Sequence, residues 1–173
     1  MEDEIGPASK EFIARLWQEK WGLPNVSVRR QYMPTDVEGL AWRAADGNEI
    51  GLVTWAVDGD RAEIVSVQAL ESGRRIGSRL MDAAEEELRR RGVKTVHLVT
   101  TNDNHRALSF YVRRGYRLVC LHLDAMDRVR QAKPQYRSSA TTASPYGICG
   151  SWSASSERRL CDRGATSCGT RVI

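Results

Sequence analysis

Between Arg61 and Thr101 the spacing of apolar residues changes period twice. RAEIVSVQA (61–69) has strand character. From about Arg75 to Arg91 the pattern turns helical within SGRRIGSRLMDAAEEELRRRG, with Ile76, Leu80, Ala83, Ala84 and Leu88 on one stripe and Gly92 placed as a C-cap. VKTVHLVTT (93–101) is a strand again, rich in β-branched residues and suited to a buried position. Two strands flanking a helix with one apolar face call for a sheet with that helix laid over it.

The flanking segments extend the same scheme. SKEFIARLWQEKW (9–21) spaces Phe12, Ile13, Leu16 and Trp17 helically behind Ser9 as N-cap, and Gly22, Pro24 and Asn25 stop it. VSVRRQY (26–32), EGLAWRA (38–44) and EIGLVTWAV (49–57) read as strands, with turns at Asp46-Gly47 and over 58–60. A second short helix covers 104–114, a strand 116–123, and a helical turn or two 124–132. The order is a helix, four strands, then α, β, α, β. The expected fold class is α/β (α+β), with a mixed central β-sheet flanked by helices on both faces.

The chain of 173 residues is long enough for one domain with a real core. Its charge of +4 raises nucleic acid as a partner, yet residues 1–133 carry 21 Lys and Arg against 20 Asp and Glu. A near-neutral domain with a basic tail argues against nucleic-acid binding. No apolar run approaches the roughly 20 residues of a membrane span, so no membrane partner is expected. The acidic start, MEDEIGPASK, has no apolar leader core, which points to the cytoplasm. Cys120, Cys149, Cys161 and Cys168 form no CxxC pair and the three histidines are isolated. Neither a metal site nor a disulfide framework is expected.

Residues 134–173 differ in character. They are rich in Ser, Thr and Gly without a period of 2 or 3.6, and read as an irregular tail beyond a domain at 1–133. A shift of reading frame near Gln135 would account for the change.

Two stretches carry chemistry. VQALESGRRIGSRL (67–80) runs a strand through a small-residue loop into a helix. The N–H groups at that helix start, with Arg74 and Arg75, make either an anion site or an ordinary turn with solvated arginines. NDNHRALSFYVRRGY (102–116) sets Asn102 and Asn104 before a helix as caps, and puts Ala107, Leu108 and Tyr111 on one face with Asn104. Phe110 falls on another side, toward the core. By residue type alone Tyr111 is a packing residue or a ligand contact.

Taken together, the two stretches resemble the GNAT superfamily of N-acetyltransferases. Val67, Gly73, Ile76 and Gly77 fall in register with the family loop V-x-P-E-x-R-G-x-G-x-G. Asn104, Ala107, Phe110, Tyr111, Gly115 and Tyr116 meet N-x-x-A-x-x-F-Y-x-x-x-G-F/Y in full. The resemblance covers about residues 10–133. It implies the acyl-CoA N-acyltransferase fold, acetyl-CoA as co-substrate, and direct attack by a primary amine of a small molecule or of a protein or peptide. The state would be monomer or homodimer. Backbone N–H groups of Arg74, Arg75, Ile76, Gly77 and Ser78 would cradle the pyrophosphate. The strand at Val67 would pair with the pantetheine arm, Asn104 would bond that arm, and Tyr111 would protonate the leaving sulfur. Some relatives carry a base in a stretch like AEIV, which makes Glu63 a candidate base; otherwise it is an exposed strand residue.

The chain departs from the family loop at three positions. Ala69 stands for the usual proline, Ser72 for an arginine or glutamine, and Arg75 for a glycine. Arg75 is either strained, with its side chain turned from the phosphates, or a substitute for the charge missing at 72. A non-catalytic acyl-CoA-binding or regulatory module on the same fold is the alternative; it would bind CoA without turnover and be indifferent to loss of the Tyr111 hydroxyl.

Overall fold

The computed structural model describes residues 3–28 and 30–122, together with Ala125, Val129 and the backbone of Cys149–Ser155. The fold is α+β with a mixed sheet. In chain order the elements are β1 (Glu4–Pro7), α1 (Lys10–Lys20), β2 (Asn25–Val26), β3 (Gln31–Tyr32), a 3-10 turn (Pro34–Asp36), β4 (Glu38–Arg43), β5 (Glu49–Asp58), β6 (Arg61–Ala69), α2 (Ile76–Arg90), β7 (Thr95–Thr101), α3 (His105–Arg113), β8 (Arg117–His122) and β9 (Cys149–Ser155). The chain divides into two compact units: Met1–Asn25 with Gln31–Val96, and Val26–Arg30 with His97–Ile173.

In the first unit β4, β5 and β6 form an antiparallel meander, and β1 adds to the outer edge of β4. The turns are those the sequence announces. Asp46 Oδ1 accepts from Asn48 N–H at 2.9 Å before β5. Asp58 faces Arg61 across the turn into β6. Helix α1 starts where Ser9 Oγ accepts from Phe12 N–H at 3.1 Å. Its Phe12, Ile13, Leu16 and Trp17 pack with Tyr32, Val37, Ala41 and Leu52.

Strand alternation sends the residue before Leu52 to the other face. A Cβ on Gly51 would lie 2.5 Å from Ile76 Cγ2 and 2.8 Å from Leu80 Cδ1, so α2 lies directly on the backbone there. Helices thus cover both faces of this part of the sheet. Of the expected apolar stripe of α2, Ile76, Leu80, Ala84 and Leu88 are buried, with Met81 beside them, while Ala83 is half-buried.

Two elements of this unit lack a strong pattern and were not anticipated: β1, only four residues long, and the 3-10 turn at Pro34. The single strand expected over 26–32 is instead two short ones. Ser27 N–H donates to Arg30 C=O at 2.8 Å, a local turn that breaks the run.

In the second unit the strand order is β7-β9-β8, with β8 and β9 antiparallel from Arg117↔Ser153 to His122↔Cys149. Helix α3 joins β7 to β8 and buries no residue fully, so Phe110 is half-buried rather than core. The irregular tail expected over 134–173 is corrected at Cys149–Ser155, which forms β9. The ladder is made by backbone groups, so a run of Ser and Gly can be recruited by neighbouring strands without any apolar alternation of its own. Cys120 is disulfide-bonded, against the expectation from spacing. A bridge joins residues that folding brings together, which sequence spacing does not report. The helical turns expected over 124–132, apart from Ala125 and Val129, and the proposed frame change at Gln135 lie outside the described residues.

Candidate functional site

The loop between β6 and α2 is exposed from Leu70 to Arg75. Gly73, Arg74 and Arg75 follow one another with φ of 81°, 49° and 53°. Glycine adopts this left-handed region freely; an L side chain there costs about 1 kcal/mol. Arg75 is therefore strained, as one of the two readings of that position required. The side chain of Arg74 is held by an ion pair with Asp3 and by the Trp42 ring, whose centre lies 5.2 Å from the guanidinium. Arg79 stacks on the same ring at 4.6 Å.

Arg75 is the N-cap of α2 and makes no side-chain capping bond. The first N–H groups of any helix lack partners within it and sit at the positive end of its dipole. Here they follow a loop with no carboxylate in the first helical turn. Such a terminus suits a pyrophosphate in charge and donor geometry. Arg75→Gly is expected to raise folding stability by roughly 0.5–1 kcal/mol, read from the urea midpoint. A fall would show that the arginine side chain does more for the loop than its backbone geometry costs.

Strand β6 carries the next group. Its pairing with β5 slips between Thr54↔Ser66 and Trp55↔Ile64, leaving Val65 as the extra residue of a bulge. Beside the bulge, Glu63 is only 9% exposed, which corrects its reading as an exposed strand residue. Tyr32 O–H donates to Glu63 Oε2 at 2.9 Å. Trp17 Nε1–H donates to Ser66 Oγ at 3.0 Å, and Ser66 shares a 2.7 Å hydrogen bond with Thr54 Oγ1. Val67, half-buried, pairs with Val53. Sequence reasoning did not single out Tyr32 or Ser66, and only their long-range contacts mark them.

In the second unit Asn104 acts as the N-cap of α3, its Oδ1 accepting from Ala107 N–H at 3.1 Å. Tyr111 lies two turns on, along the same face. Its ring is half-buried, edge-on to Phe110 at 5.2 Å and tilted against Tyr116 at 5.7 Å. Burial pushes the phenol up to about 12, with the charge of Arg114 pulling the other way. Tyr111 therefore keeps its proton throughout the neutral range.

The structure thus groups Arg74, Arg75, Ile76, Gly77 and Ser78 at one helix start, sets Glu63 and Val67 on β6, and sets Asn104 and Tyr111 on α3. Among the described residues no group of three His, Cys, Asp or Glu side chains could hold a metal ion.

Residues 10–116 match the family described as Acetyltransferase (GNAT) family. The uncharacterized protein YxbD of Bacillus subtilis (strain 168) is 35% identical over 127 residues, which span 73% of this chain and 80% of YxbD. An IAA acetyltransferase from Bacillus cereus ATCC 14579 superposes with a TM-score of 0.65 at 15% identity, covering 89% of this chain and 99% of that one. A GNAT family acetyltransferase from Elizabethkingia anophelis with acetyl-CoA bound gives 0.63 at 13% identity, covering 89% and 98%. At these identities the structural likeness speaks to the fold alone.

Proposed function

The chain belongs to the GNAT family of acetyltransferases, and on that premise we propose that it moves an acetyl group from acetyl-CoA to a primary amine by direct attack. The observation that carries this reading is the start of α2, an N-terminus with no side-chain cap and no carboxylate in its first turn, behind an exposed loop. Acetyl-CoA supplies a thioester whose C–S bond breaks as the C–N bond forms. Backbone N–H groups from Arg74 to Ser78 hold the pyrophosphate, while Val67 and Asn104 hold the pantetheine arm.

An amine arrives as an ammonium and must lose two protons on becoming an amide. Glu63 takes one and releases it to solvent. The other proton ends on the departing sulfur. A thiol ordinarily titrates near 8.5, well below a phenol at about 12. Tyr111 therefore acts chiefly by donating a hydrogen bond as negative charge grows on sulfur, rather than by giving up its proton outright. The acceptor is a small-molecule amine or an amine of a protein or peptide, and the reaction is assigned to the cytoplasm.

Calorimetric titration with acetyl-CoA, with NADH as control, is expected to give micromolar binding for acetyl-CoA alone. No binding by the folded protein would sink this reading. Binding with no turnover of any amine would favour a CoA-binding module instead.

A further inference from the structure

We infer that Tyr32 is the positioning residue for the base: its hydroxyl holds the Glu63 carboxylate in the one orientation from which it receives the ammonium proton. This rests on the acetyl-transfer reading with Glu63 as base.

The contact joins two side chains that are both removed from solvent, Tyr32 at 4% and Glu63 at 9% exposure. A buried hydroxyl and a buried carboxylate each need a hydrogen-bond partner, and here each supplies the other's. The bond ends on one named oxygen, Oε2, and so restrains where that oxygen lies.

The position of Tyr32 is itself built from several directions. Its ring packs with Phe12, Trp17, Val37 and Leu52 in the core under α1. The chain leaves it through a tight turn in which Met33 N–H donates to Asp36 Oδ2 at 2.7 Å and Asp36 N–H to Met33 C=O at 2.9 Å. Lys10 Nζ, from α1, donates to Val37 C=O and ties that turn to the helix. On the β6 side, Glu63 stands next to the bulge at Val65, a feature that re-aims neighbouring side chains. So the core sets the hydroxyl and the hydroxyl sets the carboxylate.

Among the described residues, several charged groups on the surrounding elements are engaged elsewhere or exposed. On α1, Arg15 pairs with Glu49 and Lys20 with Glu19, while Lys10 is bound to Val37. Asp58 of β5 and Arg61 of β6 are exposed.

The test uses Tyr32→Phe, which keeps the ring and removes the donor. Rates are measured from pH 5.5 to 9, about one unit to either side of neutral and beyond. The amine is whichever of lysine, spermidine, glucosamine or an alanine-initiated peptide the wild type acetylates fastest. Without the donor the carboxylate form is disfavoured, so the acid limb of kcat/KM for the amine is expected to move up by about one pH unit. The KM for acetyl-CoA stays unchanged. Leu88→Ala opens a cavity under α2, on the face of the sheet away from α1, and serves as control; it is expected to lower Tm and leave the limb in place. A limb unmoved in Tyr32→Phe, or moved equally in Leu88→Ala, overturns the inference alone. Wild-type rates in Glu63→Gln overturn the role of Glu63 and the inference with it.

Discussion

Tyr111→Phe is expected to lower kcat by roughly 10²-fold while KM for acetyl-CoA changes by less than about twofold. The ring that packs against Phe110 and Tyr116 remains, so folding is preserved and only the donor to sulfur is lost. A hydrogen bond that strengthens as charge develops stabilises the transition state and not the ground state, which is why the loss falls on kcat. Unchanged kcat in a folded variant would make Tyr111 a packing residue and leave the departing sulfur to another donor. The same hydroxyl also has a signature in stability. Its folded value lies near 12 against an ordinary 10. Below pH 10 the phenol is neutral in both states and contributes nothing to pH dependence. Between 10 and 12 the unfolded chain releases the proton and the folded one retains it, so stability falls by about 3 kcal/mol. The phenylalanine variant should lack that part of the alkaline loss, as urea midpoints at pH 9 and 11.5 would show.

Trp17→Ala should cost about 4 kcal/mol of folding stability, a large part of the 5–15 kcal/mol typical of a domain. Trp17 is fully buried in the cluster under α1, and it also donates to Ser66. Deleting the ring opens a cavity and removes one partner of the Trp17–Ser66–Thr54 chain. Trp17→Phe fills most of the space and separates the two effects. Ser66 still has Thr54, so the expected cost is only about 1–2 kcal/mol. Equal losses in the two variants, measured by urea denaturation, would mean that the hydrogen bond outweighs the packing.

Local patterns made much of this architecture legible. The Ile76-Leu80-Leu88 stripe repeats along a single helix and the Ser9 and Asn104 caps act within one turn, and each is where the sequence put it. Local patterns mislead where the deciding contact is distant. An alternating strand usually turns its polar residues to water, which made Glu63 look exposed. Here helices cover both faces of the sheet, so neither side of β6 is free, and a carboxylate among Ala62, Ile64 and Ser66 ends up buried. Its partner lies 31 residues earlier, in a segment that reads as one strand over 26–32 but folds as two short ones, and nothing local links the two. The site shows the same division. The helix-start loop and the α3 face can be seen in short motifs, whereas the pairing of Glu63 with Tyr32 cannot.

The placement of β9 between β7 and β8 imposes an order on synthesis. A nascent chain that has passed His122 holds β7 and β8 but not the strand that separates them. Their facing edges then have no native partner until Ser155 has left the ribosome. Closing this ladder waits for a long-range pairing, which is slow compared with local contacts. Until then each edge can capture a strand from elsewhere, including another copy of the same chain. The cost of this topology therefore falls on the half-made protein, in the interval before β9 arrives.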